Sequence, residues 1–180
     1  MNGRFLGEIV SSSVKVILWI IPSIYLIQRY RSELTYSLKE LFSFKIKWSA
    51  EIWMLFIYVF SPLIKNFLSN GTFIVNKHFE YSDLIWISIV GIAEEIVFRG
   101  WIQNVLMRKF KIYSAMIITN ILFVIIHFPK LIQEGGFPDL HRLIAIFVLG
   151  TIFSYSFYKT KNLWTPILFH TLWDLFVTVF

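Results

Sequence analysis

Three short patterns carry the residues that could do chemistry: Glu94-Glu95-x-x-x-Arg99, Phe123-x-x-x-His127 and His170-x-x-x-Asp174. They supply carboxylates, imidazoles and a guanidinium. Such a set can move a proton from water and steady a developing oxyanion. Each pattern lies in a strongly apolar stretch, where ionisable groups are costly and seldom occur without a task. Adjacent residues on a helix point about 100° apart, so Glu94 and Glu95 do not easily share a partner. Arg99 follows Glu95 by four residues, the offset of a same-face ion pair. The economical pairing joins Glu95 to Arg99 and leaves Glu94 free. A free carboxylate in a low-dielectric site keeps its proton more readily, which suits a general base near neutral pH. The alternative is structural: a buried ion pair, with one carboxylate lining a water pocket.

The other two patterns are also open to two readings. His127 closes an apolar run, where a histidine is either an interfacial residue or a site residue. Phe123 lies one turn earlier on the same face and packs against the ring in either case. His170 and Asp174 project to one side of their helix. Asp174 can accept an imidazole N–H and fix the tautomer, or reach toward headgroups. Two histidines with one or two carboxylates also make a zinc shell. Glu94, His127, His170 and Asp174 are therefore an alternative ligand set, although the His-Glu-x-x-His arrangement is absent.

The elements that must position these groups are membrane helices. The chain has 180 residues, room for one domain. It is 57% hydrophobic and only 16% charged, against about 25% charged in soluble domains. Mean hydropathy is +0.66. The apolar runs approach the roughly 20 residues needed to cross a bilayer. The formal charge of +6 is spread over short loops between these runs, so it signals topology rather than nucleic-acid binding. Cysteine is absent, which excludes disulfides, thiolate metal sites and a cysteine nucleophile. Heavy use of Ile, Lys, Phe and Asn points to an AT-rich bacterial genome.

Six apolar segments predict an all-α, polytopic helical bundle: Val14–Ile27, Trp48–Leu68, Leu84–Leu106, Ile112–Phe128, Leu140–Tyr158 and Leu163–Phe180. The first lacks a small-residue cleavage site and reads as an uncleaved helix. Pro22 and Pro62 predict kinks, which membrane helices tolerate. Pro129 is expected to close the fourth helix, and Gly135-Gly136 with Pro138 to form a loop. Basic residues gather after the first, third and fifth segments: Arg29, Arg31, Lys39, Lys45 and Lys47; Arg108, Lys109 and Lys111; Lys159 and Lys161. The positive-inside rule then places these loops in the cytoplasm and both termini outside. Residues 31–47 carry Leu38, Leu41, Phe42 and Phe44 among lysines, a pattern for an interfacial helix. Residues 1–83 hold two helices and a basic loop, and 84–180 hold the three motifs, within one integrated domain.

The three patterns, in this order and on separate helices, resemble the CAAX protease and bacteriocin-processing family, also called Abi or type II CAAX prenyl endopeptidases. The family signature is Glu-Glu-x-x-x-Arg, Phe-x-x-x-His and His-x-x-x-Asn or Asp. It appears here as Glu-Glu-Ile-Val-Phe-Arg, Phe-Val-Ile-Ile-His and His-Thr-Leu-Trp-Asp, within residues 84–178. The resemblance implies an intramembrane glutamate-type endopeptidase that needs no cofactor and acts on a membrane-presented peptide or C-terminal tail. It implies that Glu94 activates water with help from His127. His170 and the residue at 174 would stabilise the oxyanion, and Glu95 and Arg99 would hold Glu94 in place. An ionised Asp174 cannot donate a hydrogen bond as asparagine does, so either it is protonated or it orients a protonated His170. The rival readings are a zinc-dependent endopeptidase built on the same residues, a non-catalytic bacteriocin immunity protein, and a proton or ion pathway.

Overall fold

The computed structural model describes residues 12–46, 48–135 and 139–180, together with Gly7 and Val10. Lys47 and the Gly136 to Pro138 part of the expected loop lie outside the described residues. The described secondary structure is all helical. Helical residues 12–15 lead through a π-helical stretch, Val16–Ile20, into α1 (Ile21–Arg29). Then follow α2 (Leu38–Leu41), α3 (Ala50–Val59), α4 (Ser61–Asn70) and α5 (Asp83–Glu95). A second π-helical stretch, Ile96–Gln103, continues α5 into α6 (Asn104–Lys109). The chain ends with α7 (Ile112–Ile125), α8 (Phe128–Gly135), α9 (Leu140–Thr160) and α10 (Trp164–Val179).

Among the described residues, two stretches suffice by length and composition to cross a bilayer, Ile112–Gln133 and Leu140–Thr160. The pair α3 and α4, bent by 46°, makes a third if it is one span. The break falls beside Pro62, which stands in the first turn of α4, where a missing N–H costs little. The run through α5 and its π-helical continuation carries Glu94, Glu95 and Arg99 in its middle, and α10 has only 16 residues. Ile17, Leu18, Trp53, Ile57, Ile117, Ile121, Ile125 and Ile144 are all exposed. An apolar outer surface around a polar interior is the pattern of a protein solvated by lipid.

Two expectations need correction. Pro129 does not end the fourth apolar run. After a turn the helix restarts, with the Leu131 N–H bonded to His127 O at 3.0 Å, because proline is accommodated in a first turn. Residues 31–47 do not form a long interfacial helix. Among the described residues, a 3₁₀ turn, Arg31–Glu33, and the single turn of α2 form there, the latter closed by a capping box between Ser37 and Glu40. Leu41 is fully buried with Ile27, Ile96, Phe157 and Leu163, and its carbonyl accepts from Leu163 N–H at 2.8 Å. The loop is thus pulled into the core. The start of α9 holds despite its charges because Asp139 caps it, accepting from Arg142 N–H at 2.9 Å.

α9 packs against both α7 and α10, α10 packs against α5, and α1 packs against the second π-helical stretch. A second apolar cluster, Ile52, Val59, Ile152, Phe153 and Phe169, joins α3 to α9 and α10. Buried amides add fixed points. Asn104 accepts from Tyr36 N–H and donates to Tyr36 O, both at 2.8 Å. Gln103 donates to Ser154 O at 3.0 Å, and Ser154 Oγ donates to Asn120 at 2.8 Å.

Gly91 sets the approach of α5 to α10. A Cβ there would lie 2.6 Å from Thr171 Oγ1 and 3.4 Å from Thr171 N. The hydroxyl can rotate away and the backbone cannot. Gly91→Ala should therefore be mild and relieved further by Thr171→Ala. Gly91→Leu should overpack the contact and cost about 1–3 kcal/mol, read as a lowered unfolding midpoint in detergent.

Candidate active site

Glu94 and Glu95 end α5, where the helix passes into its π-helical continuation. π-turns widen a helix and often mark functional sites. Gly100 lies inside this one, and a Cβ there would sit 3.1 Å from Leu163 Cδ1 and 3.5 Å from Ile27 Cδ1. Its hydrogen side chain lets α1 and the start of α10 close around the π-turn. Arg99 and Glu95 are both fully buried. Arg99 Nη1 donates to Glu95 Oε1 at 2.8 Å and Nη2 donates to Gly150 O at 2.9 Å. The guanidinium carbon lies 4.7 Å from the Phe123 ring centroid and 5.5 Å from that of Phe153, a cation–π seat. Gly150 has no side chain to obstruct this, and a Cβ there would stand 3.1 Å from Asn120 Oδ1.

The same Glu95 oxygen receives His170. His170 Nδ1 lies 2.8 Å from Glu95 Oε1, so Nδ1 is the protonated nitrogen and Nε2 faces elsewhere. The ring stacks on Phe153 at 4.7 Å and 18°. Its Nε2 lies 3.5 Å from Asp174 Oδ2 and 3.9 Å from Glu94 Oε2. Glu95, rather than Asp174, therefore takes the hydrogen bond that fixes the ring. No partner of Glu95 is Glu94, so the pair Glu95–Arg99 orients His170 directly.

His127 stands at the turn between α7 and α8. Its Nδ1 donates to Phe123 O at 2.6 Å, and its ring lies 4.7 Å from the Phe123 ring. Phe123 thus fixes both the tautomer and the plane of His127. Nε2 is then turned toward Glu94 Oε2, at 4.0 Å. The structure so gathers Glu94, Glu95, Arg99, Phe123, His127, His170 and Asp174 into one cluster at the meeting of α5, α7, α9 and α10.

Glu94 is not free, as the sequence suggested. Lys15 Nζ donates to its Oε1 at 2.7 Å. The other oxygen, Oε2, is buried with no hydrogen-bond partner among the described residues. It faces the Nε2 atoms of both histidines. Sequence reasoning passed over Lys15, although a lysine inside an apolar run carries the same cost argument as Glu94. It also passed over Asn120 and Gly150, whose roles depend on what approaches them from other helices. Among the described residues no three carboxylate or imidazole groups are spaced to hold one metal ion. Of the suggested zinc shell of Glu94, His127, His170 and Asp174, the two Nε2 atoms stand 4.0 and 3.9 Å from Glu94 Oε2, while both Nδ1 atoms are engaged and Asp174 lies against His170.

Comparison with known proteins gives two matches of one kind. The family model described as type II CAAX prenyl endopeptidase Rce1-like matches residues 79–176. A Bacillus subtilis (strain 168) protein with the printed name "Putative membrane peptidase YdiL" is 33% identical over 93 residues, which is 51% of this chain and 34% of that protein. The chain thus matches about a third of the length of this relative. No solved structure matches the chain.

Because Glu95 is wholly buried, its charge depends on Arg99. Arg99→Met should leave that charge uncompensated and destabilise the fold by about 3–5 kcal/mol. Glu95→Leu combined with Arg99→Met should recover part of the loss, as apolar replacements of buried pairs do. Unfolding of the purified variants in detergent measures both.

Proposed function

The chain belongs to the Rce1-like type II CAAX prenyl endopeptidase family, and within that family we propose an intramembrane glutamate-type endopeptidase. The observation that carries this reading is the oxygen Glu94 Oε2, buried and unpartnered, with His127 Nε2 at 4.0 Å and His170 Nε2 at 3.9 Å. Two atoms 4.0 Å apart can each reach one water oxygen at about 2.8 Å. A water so held touches a base on one side and an imidazole on the other.

In the proposed reaction Glu94 Oε2 takes a proton from water while His127 Nε2 orients the remaining hydroxide. The hydroxide oxygen bonds to the carbonyl carbon of the substrate peptide. The carbonyl oxygen becomes an oxyanion and is met by His170. His170 already gives its Nδ1–H to Glu95, so its Nε2 donates only as imidazolium. Asp174 Oδ2 stands beside that nitrogen at 3.5 Å, and an imidazolium there is a stronger oxyanion donor than a neutral ring. The carbon–nitrogen bond then breaks, and the proton held by Glu94 passes to the departing amine. Peptide and water give a carboxylic acid and an amine, which exchange a proton to become carboxylate and ammonium, with no covalent intermediate.

The substrate in this reading is a peptide or C-terminal tail presented in the membrane, such as a bacteriocin or pheromone precursor. The remaining apolar segments pack in the bilayer as a bundle of about six helices. Both termini lie outside and the basic loops lie in the cytoplasm of a bacterial cell. Residues 84–180 carry the reaction, while 1–83 brace it.

Glu94→Gln keeps the shape and removes the base. It should lower cleavage of a membrane-presented peptide by about 10² or more, and chelators should leave the wild-type rate unchanged. Full activity in purified Glu94→Gln protein would refute the reading, and chelator inhibition reversed by zinc would replace it with metal catalysis.

A further inference from the structure

Among the described residues, Lys15 is the one hydrogen-bond or ion-pair partner that the site takes from before residue 79. It lies outside the matched stretch, residues 79–176. Its ammonium is 2.7 Å from Glu94 Oε1, and it is seated 5.1 Å from the Trp19 ring centroid and 5.2 Å from that of Trp86. One aromatic comes from its own helix and the other from α5. The lysine side chain is only 20% exposed.

We infer that Lys15 is a positioning residue for hydrolysis, an ammonium on the first helix that holds Glu94 by Oε1 and so presents Oε2 to His127 and His170. This rests on the reading of Glu94 as the base. The geometry of the carboxylate is the first reason. A carboxylate turns about its terminal torsion, which is broad and soft, and one hydrogen bond to one oxygen is what fixes it. The contact falls on Oε1, leaving the lone pairs of Oε2 unblocked. Charge is the second reason. The cluster holds three carboxylates, Glu94, Glu95 and Asp174, and Arg99 is engaged with Glu95. Lys15 is the cation in hydrogen-bond contact with Glu94, closer than His170 at 3.9 Å, and a buried carboxylate without such a partner is unfavourable. Seating between two indoles is the third. It limits the many rotamers of a lysine, so the ammonium arrives in one place.

A lysine that only fastened the first helix to the core would change stability and leave the rate of the folded protein alone. The test uses Lys15→Met, which keeps the apolar stem, and Lys15→Arg, which keeps the charge. Both are purified in lipid nanodiscs and assayed with a fluorescence-quenched peptide that the wild type cleaves. Lys15→Met should lower kcat about tenfold or more with KM changed less than about threefold, and Lys15→Arg should recover most of the loss. In a Glu94→Gln background, Lys15→Met should cause no further loss, since it acts through Glu94. Wild-type kcat in Lys15→Met, or an equal extra loss in the Glu94→Gln background, would overturn the inference. Wild-type cleavage by Glu94→Gln alone would instead remove the reading of Glu94 as base. An inactive Glu94→Gln with a fully active Lys15→Met would remove only the role of Lys15.

Discussion

The fully buried oxygen Glu95 Oε1 accepts both Arg99 Nη1 and His170 Nδ1 at 2.8 Å. A carboxylate at this depth is stable only when its charge is met by close donors. Meeting it fixes three helices at once. Arg99 carries the tie onward to the backbone of α9 at Gly150, and His170 carries it to α10. Phe123 and Phe153 close over the guanidinium and the imidazole. The small residues nearby follow from this demand. Gly91 admits Thr171, and Gly150 leaves its carbonyl open to Arg99 beside Asn120.

The two adjacent carboxylates divide the work because the helix points them apart. Glu95 turns inward to a permanent cation and becomes scaffold. Glu94 turns toward the histidines and meets its cation, Lys15, on one oxygen only. The same residue type thus serves as anchor and as candidate base through the number of donors each oxygen receives. The histidines show the same logic. Each gives Nδ1 to a fixed acceptor, Phe123 O or Glu95 Oε1, and each is left with Nε2 facing Glu94. Four contacts, two of them sharing Glu95 Oε1, orient one small polar cluster.

Local spacing made part of this legible in advance. The four-residue offset of Glu95 and Arg99 is a property of one helix, and the pair forms as that offset predicts. The all-helical class follows from composition, and the bend beside Pro62 follows from proline chemistry. What the sequence hid was contact between distant elements. Lys15 and Glu94 are 79 residues apart, and no periodicity on either helix reports their meeting. Reading Glu94 as free came from counting only the partners on its own helix. Asp174 drew attention for being one turn from His170, yet the closer acceptor, Glu95, lies 75 residues away. Pro129 is ambiguous in the sequence because proline both stops and starts helices: α7 ends at Ile125, and the His127 carbonyl that accepts from Leu131 N–H opens α8. The short α2 reflects burial of Leu41 in the core, which outweighed the amphipathic pattern of its loop.

A structure with a bound phosphinic-acid peptide, whose two phosphinyl oxygens copy those of a hydrated peptide carbonyl, tests the arrangement most directly. One oxygen should lie within hydrogen-bond distance of both Glu94 Oε2 and His127 Nε2, the other should accept from His170 Nε2, and the peptide should run through the bundle interior. A phosphinyl group held by a metal ion, or seated away from Glu94 with both histidines uninvolved, would contradict it.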